Sequence, residues 1–278
     1  MLYYYANTSH KLGLERLRRG SALLNRLAAS GEEVQLLVND FRAGLVAREL
    51  GVKEYVTVEG VQDIDAIASH GDSIIIDSIE DDHGRLVKYC EDFKHVYRFG
   101  HDAKDKQVHS ESVLDADMVL VDDRYFELVE KEERVLFFLG DADYNKVILG
   151  NADFFKNFDM ELLLGNYFFV KYEDELAKLF STLHEPEEYE ALIKSSSTVV
   201  TASSQAALEA KAAGAKVIYL ALPEHELYEK SLLELYGIGV IDGFNNSKLM
   251  ELLQKNLLSD YKLIEKIDDK RILLNNHL

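Results

Sequence analysis

The chain has 278 residues, of which 47% are hydrophobic and 29% charged, with only two prolines and 16 glycines. That balance is globular and excludes collagen-like, mucin-like and disordered classes. Fifty acidic against 31 basic residues give a formal charge of −19, shared by both halves, which argues against nucleic-acid and anionic-membrane partners.

Short β-rich runs alternate with longer helical patterns along the chain. The first half predicts strands at Leu2–Tyr5, Val34–Val38, Tyr55–Val58, Ser73–Ile76, His95–Phe99 and Met118–Val121. Between them fall helices from near Leu14 and over Phe41–Leu50, Val61–Ser69 and Gly84–Phe93. The charged stretch Asp122–Arg134 has no strand character and predicts the connection between two domains, 1–124 and 134–278. The second half predicts strands at Val135–Leu139, Tyr167–Val170, Thr198–Thr201, Lys216–Leu220 and Ile238–Ile241. Its helices fall over Glu173–Leu183, Pro186–Ser195, Ser204–Ala213 and Glu224–Tyr236, with a helical tail. Strands that read as continuous apolar runs call for parallel sheets covered on both faces. The expectation is therefore two Rossmann-like α/β domains of ~130–150 residues each, facing a cleft.

Ligands of such sheets sit beyond the carboxyl ends of the strands. The loops after Tyr5, Ile76, Phe99 and Leu139 are accordingly the places for chemistry. The first, Asn7–Gly20, carries Gly13 and the basic Arg16, Arg18 and Arg19. It reads either as an anion site at a helix N-terminus or as a solvated helix face. The second, Phe138–Lys146, offers Gly140, Asp141 and Asp143 in a tight turn, which is also an ordinary strand-to-loop junction. In the third, Ser203 and Ser204 open a helix that carries Glu209. Hydroxyls and N–H groups there suit phosphate, and a carboxylate suits a ribose diol; alternatively a serine is an N-cap and Glu209 an exposed helix residue.

His10, His83 and His101 fall on loops at the same edge. His101-Asp102 and Asp81-Asp82-His83 have metal-ligand chemistry, but no helical histidine pair accompanies them, and neither metal nor organic cofactor is expected. Gly-x-Ser-x-Gly, P-loop and Gly-x-Gly-x-x-Gly signatures are absent. A single cysteine, Cys90, excludes an internal disulfide framework. The N-terminal MLYYYANTSH does not read as a signal peptide, and the longest apolar runs fall short of the ~18 residues of a membrane span, so a cytoplasmic protein is expected.

Taken together, the three loops resemble those of the UDP-sugar hydrolase family of pseudaminic acid biosynthesis. Its members remove UDP from a 2,4-diacetamido-trideoxy-altropyranose and are similar in fold to GT-B glycosyltransferases. That family's Gly-x-Gly-His-x-x-Arg loop aligns with Gly13-Leu14-Glu15-Arg16-Leu17-Arg18-Arg19, matching at Gly13 and Arg19. Its Gly-Gly-x-Asp loop aligns with Gly140-Asp141-Ala142-Asp143. A small-small pair, a glutamate five residues on and a glycine five further match Ser203-Ser204, Glu209 and Gly214.

The resemblance implies that Glu209 holds ribose, and that Ser203, Ser204 and the 140–143 loop hold diphosphate. It also exposes departures. Glu15 stands where the family has its second glycine, and Arg16 where it has its catalytic histidine. A guanidinium stays protonated and performs no acid–base step. His10, Arg16 and Arg19 are then the expected catalytic group, the arginines neutralising a leaving diphosphate. Asp77, His101 and Asp102, with Gly13, complete the expected sugar side, and His10, Asp77, His101 and Asp102 are the candidate bases. Two functions follow. One is a UDP-sugar hydrolase or glycosyltransferase of surface or flagellar glycan synthesis. The other is a non-catalytic relative, a sugar-nucleotide sensor or partner subunit of a glycosylation enzyme.

Overall fold

The computed structural model describes residues 1–101, 104–168, 170–223, 227–255 and 261–266. The chain divides into two compact units. One holds Met1–Ser9 and Arg16–Asp123, with Lys266 of the described C-terminal residues, and the other holds His10–Glu15 and Arg124–Glu265. The segment 10–15 thus groups with the second unit, although it follows the first strand.

In the first unit the elements are β1 (Leu2–Ala6), α1 (Glu15–Ala29), β2 (Val34–Val38), α2 (Phe41–Glu49), β3 (Tyr55–Thr57), β4 (Ser73–Asp77), α3 (Arg85–Asp92), β5 (His95–Phe99) and β6 (Ser112–Leu114). They form a six-stranded parallel sheet of order β3-β2-β1-β4-β5-β6. Every residue of β1 is buried, as a central strand covered on both faces must be. Tyr3 and Tyr5 join Leu37, Ile74, Ile76 and Tyr89 in one core layer. On α1, a Cβ on Gly20 would lie 2.4 Å from the Tyr4 ring, so the bare glycine sets how closely that helix meets its strand.

The second unit runs β7 (Glu132–Phe138), α4 (Val147–Gly150), α5 (Ala152–Phe155), β8 (Glu161–Leu163), α6 (Glu173–Leu176), β9 (Thr182–His184), α7 (Tyr189–Ser195), β10 (Ser196–Thr201), α8 (Ser204–Ala212), β11 (Lys216–Ala221), α9 (Lys230–Leu235), β12 (Gly239–Asp242) and α10 (Asn246–Gln254). Its sheet is again six-stranded and parallel, in the order β12-β11-β10-β7-β8-β9. An aromatic cluster fills one side of it. The Phe137 and Phe180 rings stack at 5.8 Å, and Phe155 meets Phe137 edge-on at 4.8 Å.

Several elements differ from expectation. No strand forms at Met118–Val121, because Leu120 and Val121 are buried outside the sheet and the more polar Ser112–Leu114 takes the edge position beside β5. Tyr167, Phe168 and Val170 do not form a strand either, and residue 169 lies outside the described residues; Glu161–Leu163 pairs with β7, and Thr182–His184 adds an edge strand. A 3₁₀ turn at Val61–Ala66 replaces the helix expected over 61–69, burying Val61 and Ile64. The helices expected over 173–183 and 224–236 shorten to α6 and α9, and residues 224–226 lie outside the described residues. β7 begins within the charged stretch, at Glu132. Among the described residues, no helix is long and apolar enough to cross a membrane.

In each sheet the strand order reverses once, between β1 and β4 and between β7 and β10. A crevice beyond the carboxyl ends of the strands opens at such a reversal, and ligands of open α/β sheets use it.

Candidate functional site

At the reversal in the second sheet, Phe138 pairs with Thr201, and the Ala202 N–H donates to the Phe138 carbonyl at 3.2 Å. The loops after β7 and β10, two of those singled out in the sequence, therefore leave the sheet side by side. Gly140 sits at φ +139°, a conformation that side chains disfavour. A Cβ on Gly165 would lie 2.5 Å from the Gly140 carbonyl oxygen and 2.6 Å from that of Asp141, so two chain segments touch there backbone to backbone. The Tyr167 N–H and the Asn166 amide bind the Asp141 carbonyl and carboxylate at 2.8 and 2.9 Å.

Asp143 is buried and occupied. It accepts the Val147 and Ile148 N–H groups at 2.5 and 3.4 Å, capping α4, and takes the Tyr172 hydroxyl as well. Burial, and behind it the bond to Asp143, holds the Tyr172 phenol above its usual range. The geometry makes Asp143 the clamp that shapes the loop.

Beyond β10, Ser203 is the N-cap of α8, its hydroxyl accepting the Ala206 N–H at 3.1 Å. The Ser204 hydroxyl donates to Glu15 at 3.2 Å and accepts the Tyr228 N–H at 3.2 Å. Glu209 is not the exposed helix residue that a polar helix face allows, since only 2% of it is accessible. Its carboxylate accepts the Tyr189 hydroxyl at 2.6 Å and the Gln205 amide at 2.9 Å. Gly214, at φ +83° beyond the end of α8, works as a helix-terminating glycine.

The first loop splits between the units. In the second, the His10 ring lies 4.6 Å from that of Tyr167, and Lys11 stands over Tyr144 at 5.3 Å. Gly13, at φ +71°, has a Cβ position 3.8 Å from the Asp141 Cβ. Lys11, Leu12, Ala142, Asp143, Tyr144, Asn145 and Val147 line a cavity of about 400 Å³ beside the second loop.

In the first unit, Arg19 holds Asp77 bidentately at 2.7 and 3.0 Å, and its guanidinium lies 3.8 Å from the centre of the Phe99 ring. Tyr4 donates to the same carboxylate at 2.6 Å, and the Arg16 Nε stands 3.4 Å from it. Arg18 and Arg19 are each only 3% accessible, which corrects the solvated-face alternative for this turn. Asp77, with two arginines and a phenol on it, has the surroundings of a structural counter-ion.

His101 is exposed, its N–H bound to Asp105 at 3.0 Å, and Asp102 lies outside the described residues. His83 is exposed beside Asp81. Among the described residues, no three His, Cys, Asp or Glu side chains are grouped to hold a metal ion. Gly165, Tyr167, Tyr172, Tyr189 and Gln205 escaped sequence reasoning. Gly165, Tyr167, Tyr172 and Tyr189 act by packing or bonding onto a site residue from a distant point in the chain, which spacing does not encode, whereas Gln205 lies one turn before Glu209 on α8, at an i,i+4 spacing that could have found it.

No protein-family model matches the chain, and no curated protein matches it in sequence. Its fold does match solved structures. UDP-GlcNAc 2-epimerase from Methanocaldococcus jannaschii, in complex with UDP-GlcNAc and UDP, is similar with a TM-score of 0.53 at 12% identity, over 92% of this chain and 94% of that one. The S. aureus MnaA–UDP structure gives 0.57 at 12% identity, over 91% and 88%. The glycotransferase of kitacinnamycin gives 0.53 at 11% identity, over 91% and 89%. The chain thus has the GT-B-like fold of two Rossmann-like parallel-sheet units.

Proposed function

We propose that the chain binds a nucleotide-sugar, and that its second unit receives the uridine diphosphate portion. The observation that carries this reading is the pairing of β7 with β10, which sets the glycine-bearing loop 140–143 beside the serine-capped start of α8. Helix N-termini favour anions through their N–H groups and dipole, so diphosphate belongs at Ser203-Ser204 and Gly140. Glu209 is the ribose partner, with the Tyr189 hydroxyl occupying the position a ribose hydroxyl would take. The presence of UDP or UDP-GlcNAc in solved neighbours of this fold supports the same ligand class.

Two activities are compatible with that binding. The first is substitution at the anomeric carbon, by water in a UDP-sugar hydrolase of the pseudaminic acid type or by a glycan hydroxyl in a glycosyltransferase. The second is binding without turnover, as a sensor or a partner subunit. In either reading Arg16, which stands where the resembled family has its histidine, faces Asp77. His10, exposed beside Tyr167, is the acid–base candidate that keeps the first reading open to test.

Thermal-shift screening against UDP-, GDP-, CMP- and dTDP-sugars tests the proposal, because a ligand of the native state raises apparent stability. A shift with UDP-sugars above the others is expected; no shift with any uridine nucleotide overturns it. A UDP-release assay on wild type and His10→Ala then separates turnover from binding alone.

A further inference from the structure

At the opposite end of the second sheet, β11 begins at Lys216, just after the glycine that ends α8. A second cavity of about 440 Å³ lies there, lined by Lys211, Lys216 and Lys262 together with Phe126 and Tyr261. Three cations in one cavity stand out in a chain of charge −19. Elsewhere lysines sit against carboxylates, as in Lys156–Asp153, Lys194–Glu127, Lys230–Asp242 and Lys248–Glu251. Among the described residues, Lys211, Lys216 and Lys262 have no carboxylate oxygen within 4.0 Å.

The cavity wall is built from specific contacts. Lys211 lies 3.8 Å over the Tyr261 ring, Lys262 5.4 Å over the Tyr236 ring, and Lys216 donates to the Leu253 carbonyl at 2.6 Å. The segment carrying Tyr261 is pinned by the Lys262 N–H on the Leu235 carbonyl at 2.8 Å. Gly237, at φ +71°, leaves room for the Tyr261 ring, which a Cβ would approach to 2.8 Å. An ammonium has three donors, and these contacts use at most one of each. Burial holds Lys211 and Lys216 below the usual lysine range, a cost that a bound anion would offset.

We propose that this cavity is a second ligand site, distinct from the loops at the carboxyl edge, that takes a small phosphorylated molecule through Lys211, Lys216 and Lys262. Multiple ammonium donors match the charge and oxygen count of a phosphate ester better than a single carboxylate, and Phe126 and Tyr261 accommodate an apolar portion.

Isothermal titration of pyrophosphate into the full chain at low salt tests it, with UDP titrated in parallel. The site predicts that Lys211→Gln weakens pyrophosphate by about tenfold or more, the loss of a charge-assisted contact. Lys211→Arg should retain binding, Lys262→Gln should act in the same direction as Lys211→Gln, and UDP affinity should be unchanged in all three. Absence of pyrophosphate binding in the wild type overturns the proposal. So does a pyrophosphate affinity that survives Lys211→Gln and Lys262→Gln but falls in Lys11→Gln, which would assign the anion to the carboxyl-edge loops. The nucleotide reading stands or falls separately, on the UDP titration.

Discussion

The Arg19 guanidinium and the Asp77 carboxylate form a fork-to-fork pair inside the first unit, with Nη2 on Oδ1 at 2.7 Å, Nε on Oδ2 at 3.0 Å and both side chains almost inaccessible. Removing one member of a buried pair leaves an uncompensated charge, at a cost of about 3–5 kcal/mol. Asp77→Ala is therefore expected to lower the unfolding free energy measured by denaturant titration by that order, with a corresponding fall in the midpoint. A stable Asp77→Ala protein that has lost only turnover would instead mark Asp77 as a catalytic base.

Gly165→Ala places a methyl group against the carbonyls of Gly140 and Asp141, where backbone on both sides has little room to give. Overpacking of this kind costs about 1–3 kcal/mol. The substitution should lower the melting temperature and displace the 140–143 loop, weakening UDP more than uridine. Equal effects on the two ligands would show that the loop does not touch diphosphate.

Most strands of both sheets were legible in the sequence because they are continuous apolar runs. Val34–Val38 and His95–Phe99 have the bounds that the pattern predicts. Three short strands were not: the interior Glu161–Leu163 and two of the edges. Ser112–Leu114 and Thr182–His184 are three residues long and partly polar, whereas Met118–Val121 looks like a strand because Leu120 and Val121 are buried for another purpose. Tyr167 gives its N–H to Asp141 and so takes no part in a ladder. The loops proposed as the site were legible by position, since chain order places the reversals. The side chains that occupy them were not, because Tyr172 reaches Asp143 and Tyr189 reaches Glu209 only through tertiary packing.

Acid should loosen the loop that carries His101. Asp105 is held at about 2 by its bidentate bond to Arg98. Burial alone would push Glu111 up, but the N–H groups of Val108 and His109 outweigh it and hold that carboxyl below its usual range. Both groups titrate lower in the folded than in the unfolded chain. Their contribution is therefore full above about pH 5 and drains as pH falls toward about 2. Denaturant midpoints measured over that interval should fall for the wild type and fall less steeply for Asp105→Asn. Parallel slopes for the two proteins would remove the pair from the account.

If ribose takes the place of the Tyr189 hydroxyl on Glu209, Tyr189→Phe removes a competitor without removing the carboxylate. UDP affinity should hold or rise in that variant, although stability drops by about 1 kcal/mol with the lost bond. A UDP affinity that falls in step with stability would make Tyr189 a ligand partner, or the Tyr189–Glu209 bond a structural one.

The most direct measurement is titration of UDP into the wild-type chain and into Glu209→Ala, with the folded state of each checked by its melting curve. Binding on the second unit predicts that UDP binds the wild type and that Glu209→Ala, while still folded, binds it about tenfold more weakly, as the loss of hydrogen bonds to a charged group implies. An unchanged affinity in Glu209→Ala, or no uridine nucleotide binding to the wild type, would contradict the account.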